Sequence, residues 1–197
     1  MTSSTEPAPT PSAPDAECLA LTRQLRRRGT VVLSVFALAW AFAGASGTGA
    51  ATDAVPVAVE AAALAITAAA LYLGLRKDAR PSPRTVDLPA NWARGVGLVN
   101  GVELLAIVAV IAAANASGHP EYIPAGIALV VGLHFFPLAR LYDQGQYRWT
   151  GALLTAVAVL GAVLILAGVS AETVRAVVGL ACAAVLWASA CHLAVRG

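Results

Sequence analysis

Three ionisable side chains sit within stretches built almost wholly of Ala, Val, Leu, Ile and Gly: Glu60, Glu103 and His134. A charge at the centre of an apolar helix in hydrocarbon costs at least ~2.5–3.5 kcal/mol. Such groups therefore face a partner or a water-filled space. There a carboxylate and an imidazole can exchange protons or hold a cation. Glu103 ends the run Gly97-Leu-Val-Asn100-Gly101-Val-Glu103, and Asn100, three residues earlier, shares its helix face. His134 lies in Gly132-Leu133-His134-Phe135-Phe136-Pro137-Leu138-Ala139-Arg140. Pro137 brings no N–H to the Leu133 carbonyl and clashes with it. The sequence thus predicts a kink and a freed acceptor beside His134. At membrane depth such an acceptor must be satisfied by protein or water. Glu103, His134, Asn100 and Pro137 form one candidate polar site. Glu60, on a face with Pro56, Leu64 and Thr67, is a second and separate candidate nearer the other membrane boundary.

The elements that must position these residues follow from composition. The chain has 197 residues, of which 58% are hydrophobic and 12% charged, with a mean hydropathy of +0.73. A soluble domain carries about 25% charged residues, and a soluble chain this apolar could not cover its surface with polar groups. The fold class expected is all-α: a polytopic membrane protein with a bundle of six transmembrane helices. Each span needs roughly 20 apolar residues. Runs of that length fall at about 30–50, 54–75, 92–115, 121–142, 148–169 and 171–195. They leave no room for a soluble domain. Residues 1–17 are rich in Pro, Ser and Thr and read as a disordered tail. With the basic lead that follows they make up 1–28, and the six-helix domain is 29–197. A basic lead before an apolar run also describes a secretory signal, but the long lead and five further spans favour a signal anchor retained as the first helix. Asp53 and Ser170 are expected to cap the second and sixth helices.

Charge placement gives the orientation. All basic residues except Arg175 fall in the N-terminal lead, in the loops joining helices 2–3 and 4–5, or at the C-terminus. By the positive-inside rule, both termini are cytoplasmic and the protein belongs in the cell's cytoplasmic membrane. Tyr72, Trp92, Tyr142, Tyr147 and Trp149 would then line the inner interface, and Tyr122 the outer one.

This topology makes a pairing expectation. Helix 3 runs outward and helix 4 inward, joined by the short connection Ser117-Gly118-His119-Pro120, so they are antiparallel neighbours. At 1.5 Å per residue, Glu103 and His134 each lie ~12 Å from the cytoplasmic boundary. They can meet, either as a proton-accepting or cation-coordinating pair on a transport path or as a buried hydrogen bond that sets the register of two helices. Gly97 and Gly101 form a GxxxG step of the kind that admits another helix closely. With the polar face beside it, this step places helix 3 inside the bundle.

Other residues carry less chemistry. Asp53, His119, Glu121 and Glu172 gather at the outer rim with Arg175, but they come from separate connections, and a metal site needs convergent ligands. No metal and no cofactor is expected. His192 falls at the inner interface, and Trp40 and Trp187 read as packing residues. Cys182 and Cys191 are nine residues apart and point to opposite helix faces, so they cannot bridge each other. Cys18 lies in the N-terminal lead. There is no HExxH, GxSxG or P-loop, and an enzyme is not the favoured reading. Basic residues flank apolar spans and do not mix with aromatics on one soluble face, which excludes a nucleic-acid partner.

The run G-L-H-F-F-P-L-A-R at 132–140 resembles a motif of uncharacterised bacterial six-helix integral membrane proteins, in which G-x-H-F-x-P-L-A sits late in the fourth span. The resemblance implies that His134 and Pro137 matter to that family, and it implies no activity. The functional expectation is a multi-pass membrane protein acting as a small transporter or channel component, with Glu103 and His134 on the path. The alternative is a non-catalytic scaffold or accessory subunit in which the pair is structural. The lipid bilayer, a small solute or proton, and a membrane-protein partner or second copy are the partners these readings call for.

Overall fold

The computed structural model describes residues 13–48, 54–76, 88 and 90–196, with side chains over 20–195 of those. Among them run six α-helices: α1 (Ala13–Ala45), α2 (Ala54–Leu75), α3 (Trp92–Ala116), α4 (Ile123–Leu141), α5 (Gln146–Leu166) and α6 (Ala171–Arg196). A 3-10 turn, Pro120–Tyr122, leads into α4. All six α-helices are long and apolar enough to cross a membrane. Residues 1–12, the Cys18 side chain, Asp53, Lys77, Arg80, Arg84, the prolines 81, 83 and 89, and the Arg196 side chain lie outside the described residues.

One boundary differs from the sequence expectation. The first helix begins at Ala13, well before the apolar run, and ends at Ala45. Residues 13–28 are rich in Ala, Leu, Glu, Gln and Arg, all good helix formers, and Pro14 stands in the first turn, where a proline is tolerated. A helix nucleated in the apolar segment therefore propagates back through the polar lead. The other ends obey local chemistry. The chain leaves α3 and α5 through Gly118 and Gly168, whose φ values of +75° and +77° suit glycine. The next amides, His119 and Val169, bond back to Ala114 and Leu164 at 2.9 and 3.0 Å. Ser170 caps α6 by accepting from the Thr173 amide at 3.3 Å.

Packing makes α6 and α4 the hubs. Helix α6 lies against α1, α2, α4 and α5, and α4 lies against α3, α5 and α6. Several contacts are backbone to backbone. A Cβ on Gly179 would fall 2.6 Å from the Gly44 Cα, and one on Gly151 would fall 2.7 Å from the Gly132 carbonyl oxygen. The α1–α6 and α4–α5 crossings need glycine there. Polar threads reinforce the seams. Trp187 donates its indole N–H to Thr67 at 3.0 Å, tying α6 to α2. Thr150 and Ser189 share a hydroxyl hydrogen bond of 2.7 Å between α5 and α6.

Helix α3 corrects the expectation that it lies inside the bundle. Among the described residues it packs on α4 and the 3-10 turn, and no Cα of α3 comes within 8 Å of one on α1, α2, α5 or α6. Only Ala114 of α3 is buried, and a Cβ on Gly97 or Gly101 would meet nothing within 4 Å. A GxxxG step permits close approach without compelling it, and one neighbouring helix supplies the ion-pair partner of Glu103.

Candidate functional site

Helix α3 touches α4 along a stripe that includes Val96, Val99, Glu103, Ile107 and Val110, one face of a 3.6-residue helix. That face turns Glu103 toward α4, where His134 stands at the same level. The Glu103 carboxylate oxygen Oε1 lies 3.1 Å from His134 Nδ1, with side chains 18% and 12% exposed. Nδ1 also lies 3.3 Å from the Val131 carbonyl oxygen one turn back. A carbonyl only accepts, so that contact assigns the proton to Nδ1, which donates to Val131 and stands within ion-pair distance of Glu103. Among the described residues, Glu103 Oε2 and, in the neutral ring, the His134 Nε2 lone pair have no hydrogen-bond partner.

The pair stands on the wall of a cavity of about 360 Å³ between α1, α3 and α4. The absent α1–α3 contact creates this space. Most lining residues come from the half of their helix nearer the basic loops, while Val32, Leu33, Phe36 and Val131 reach past the helix midpoints. Leu33, Val131, Leu138 and Leu186 form a buried apolar floor. Aromatic rings run from the pair toward the basic end: Phe135 lies tilted 5.2 Å from the His134 ring and meets Tyr147 edge to face at 5.6 Å. Tyr147 meets Tyr142 at 6.0 Å, and Tyr142 meets Trp92 at 5.8 Å. Gly29 of α1 makes room for this chain, since a Cβ there would lie 3.1 Å from the Tyr147 hydroxyl. Tyr142 lies just past the end of its span. Burial holds its hydroxyl above the ordinary phenol range, although Arg28 pulls the other way.

The sequence-designated residues separate here. Glu103 and His134 are brought together. Asn100 lines the cavity, but as an exposed residue at its rim. Pro137 does not join them: it and Leu133 are exposed, neither lines the cavity, and α4 stays helical through both. The two phenylalanines likewise divide, Phe135 buried on the wall and Phe136 39% exposed. Glu60 is half-buried on α2, a helix that packs on α1 and α6 and on neither α3 nor α4. Of its expected face, Leu64 is exposed and Thr67 is buried under Trp187. At the opposite end, His119 Nδ1 and Glu121 Oε1 pair at 2.9 Å in an exposed setting.

Sequence reasoning missed the far wall. Arg28, Val32 and Phe36 of α1 line the cavity, with Trp92, Tyr142 and Tyr147. The aromatic cluster was visible in the sequence, but only as an interface belt, and Arg28 only as a topogenic charge.

Residues 95–196 match the model of a family described as a family of unknown function, DUF7010. The match takes in α3 to α6, and with them Glu103 and His134, while Arg28 and Glu60 lie outside it. Comparison with curated proteins and with solved structures gave no match.

Proposed function

The chain belongs to the DUF7010 family, and we propose that it is a small membrane transporter component whose Glu103–His134 pair accepts a proton or a solute cation. One observation carries this reading: a carboxylate and an imidazole 3.1 Å apart on the wall of a cavity of about 360 Å³. Ionisable groups in an apolar span are costly and are kept where they serve a path or a partner. A cavity lined mostly from one half of the bundle suits a chamber that opens to one side at a time better than a continuous channel. On this reading both termini are cytoplasmic and the chamber belongs to the inner half of the cytoplasmic membrane.

The test is proton flux into proteoliposomes carrying an internal pH dye, under an imposed potential. Glu103→Gln and His134→Ala are expected to lower the protein-dependent flux at least about tenfold, the scale of one charge-assisted hydrogen bond. Unchanged flux in both would overturn the reading.

A second reading has its own support. Helix α3 packs on α4 and the 3-10 turn alone, so the same pair could serve as the polar fastener of a peripheral helix in a scaffold or accessory subunit. It predicts that Glu103→Gln loosens α3, read as faster amide exchange along 92–116, with no specific loss of flux.

A further inference from the structure

We propose that the cavity binds an amphipathic organic amine: a protonated primary or secondary ammonium on an apolar, aromatic-sized body, entering sideways between α1 and α3. The proposal rests on the reading of the cavity as a binding chamber and names the class of occupant.

The polar chemistry of the wall selects the head group. The unpartnered atoms of the pair, Glu103 Oε2 and the neutral-ring His134 Nε2, are both acceptors, since Nδ1–H is already committed to Val131. An occupant must therefore bring N–H or O–H donors, and a carboxylate favours a cation among them. Phe135, Tyr147, Tyr142 and Trp92 line the cavity, and aromatic rings attract an ammonium group that reaches a face. Arg28 is a cation on the wall, but it sits exposed at the mouth, while the carboxylate lies deeper and mostly buried. An anionic head group would have to stop at Arg28 and leave both acceptors unmet.

The apolar wall selects the body, and the gap selects the route. No Cα of α1 approaches one of α3 within 8 Å. The α1 residues facing that gap, Val32 and Phe36, line the cavity and are 52% and 57% exposed. Asn100 stands exposed on the α3 side. The opening thus faces the flank of the bundle, where the surroundings are apolar. A molecule already dissolved among lipid chains can pass through it with its apolar body leading. A small hydrophilic ion would have to shed its hydration first.

The experiment uses the full chain in lipid nanodiscs and three para-bromophenyl probes of one carbon skeleton: a butylamine, the alcohol and the carboxylic acid. The bromine quenches tryptophan, and Trp92 lines the cavity. The amine is expected to quench saturably, and the Trp92→Phe variant to lose that quench. The alcohol and the acid should bind roughly tenfold or more weakly, and Glu103→Gln should weaken the amine by a similar factor. Should that variant fail to fold, Glu103→Asp keeps the charge but withdraws it by one methylene, and is expected to weaken the amine at least about threefold while leaving the alcohol unchanged. Alcohol or acid binding as tight as the amine's, or amine binding indifferent to residue 103, overturns the amine and leaves the chamber standing. No saturable Trp92-dependent quenching by any of the three overturns both.

Discussion

At the scale of single residues, the meeting of Glu103 with His134 was legible because two simple quantities decide it. Depth follows from helical rise, and adjacency follows from the short connection between two spans. What else surrounds the pair was not legible. Whether Asn100 faces a neighbour or the outside depends on which helix stands beside α3, and no local rule supplies that. The interaction itself can be measured. A double-mutant cycle with Glu103→Leu and His134→Leu, by reversible unfolding in bicelles, is expected to give a coupling of about 0.6–1.7 kcal/mol, the range of polar contacts between membrane helices. Each single variant should cost more than the double, because it strands a buried polar partner. A coupling indistinguishable from zero would mean that the 3.1 Å contact does not hold the helices together.

At the scale of elements, glycine shows how one residue type serves different ends. Gly179 sits at a crossing where an added Cβ would lie 2.6 Å from the Gly44 backbone. Gly179→Ala must therefore push α1 and α6 apart, at a cost of roughly 1–3 kcal/mol. A Cβ on Gly101 would meet no neighbouring side chain or helix within 4 Å. Gly101→Ala is expected to leave the bundle intact and to gain up to about 1 kcal/mol from helix propensity. Thermal unfolding followed by circular dichroism would read both. A loss at position 101 as large as that at 179 would show that α3 is packed on its open face. The sequence motif drew attention to Gly97 and Gly101, whereas the glycines that bring helices together stand in no GxxxG step with each other: Gly44 meets Gly179, and Gly132 meets Gly151. Motif spacing describes one helix, and close approach is a property of two.

At the scale of the whole molecule, the connections place α1, α3 and α5 with their starts, and α2, α4 and α6 with their ends, at one pole of the bundle. Arg175 belongs to the opposite pole. The charge bias predicts that the shared pole is cytoplasmic. In a chain with Cys18, Cys182 and Cys191 replaced by Ala, Ser117→Cys is expected to react with a membrane-impermeant maleimide on intact cells. Gln144→Cys should react only after permeabilisation. The reverse pattern would invert the orientation and with it the side to which the chamber belongs.

The sequence by itself determined the number of apolar helices and most of their ends, because each depends on residues within a few turns: apolar run length, glycine at the exits of α3 and α5, serine before α6. The start of α1 at Ala13 escaped it, since residues 13–28 carry no apolar run. It also determined that Glu103 and His134 could lie at one level, since depth is arithmetic along a single helix. Only the tertiary structure decided that α3 stands at the edge, that α1 and α3 fail to touch, and that the gap between them is lined by Arg28, Phe36 and Tyr147 as well as by the pair. The physical reason is that helices apolar on nearly every face carry little record of which neighbour each face will meet. That choice falls to side-chain shape across two helices at once, as where Gly29 makes room for Tyr147, and shape complementarity is not written in either helix alone.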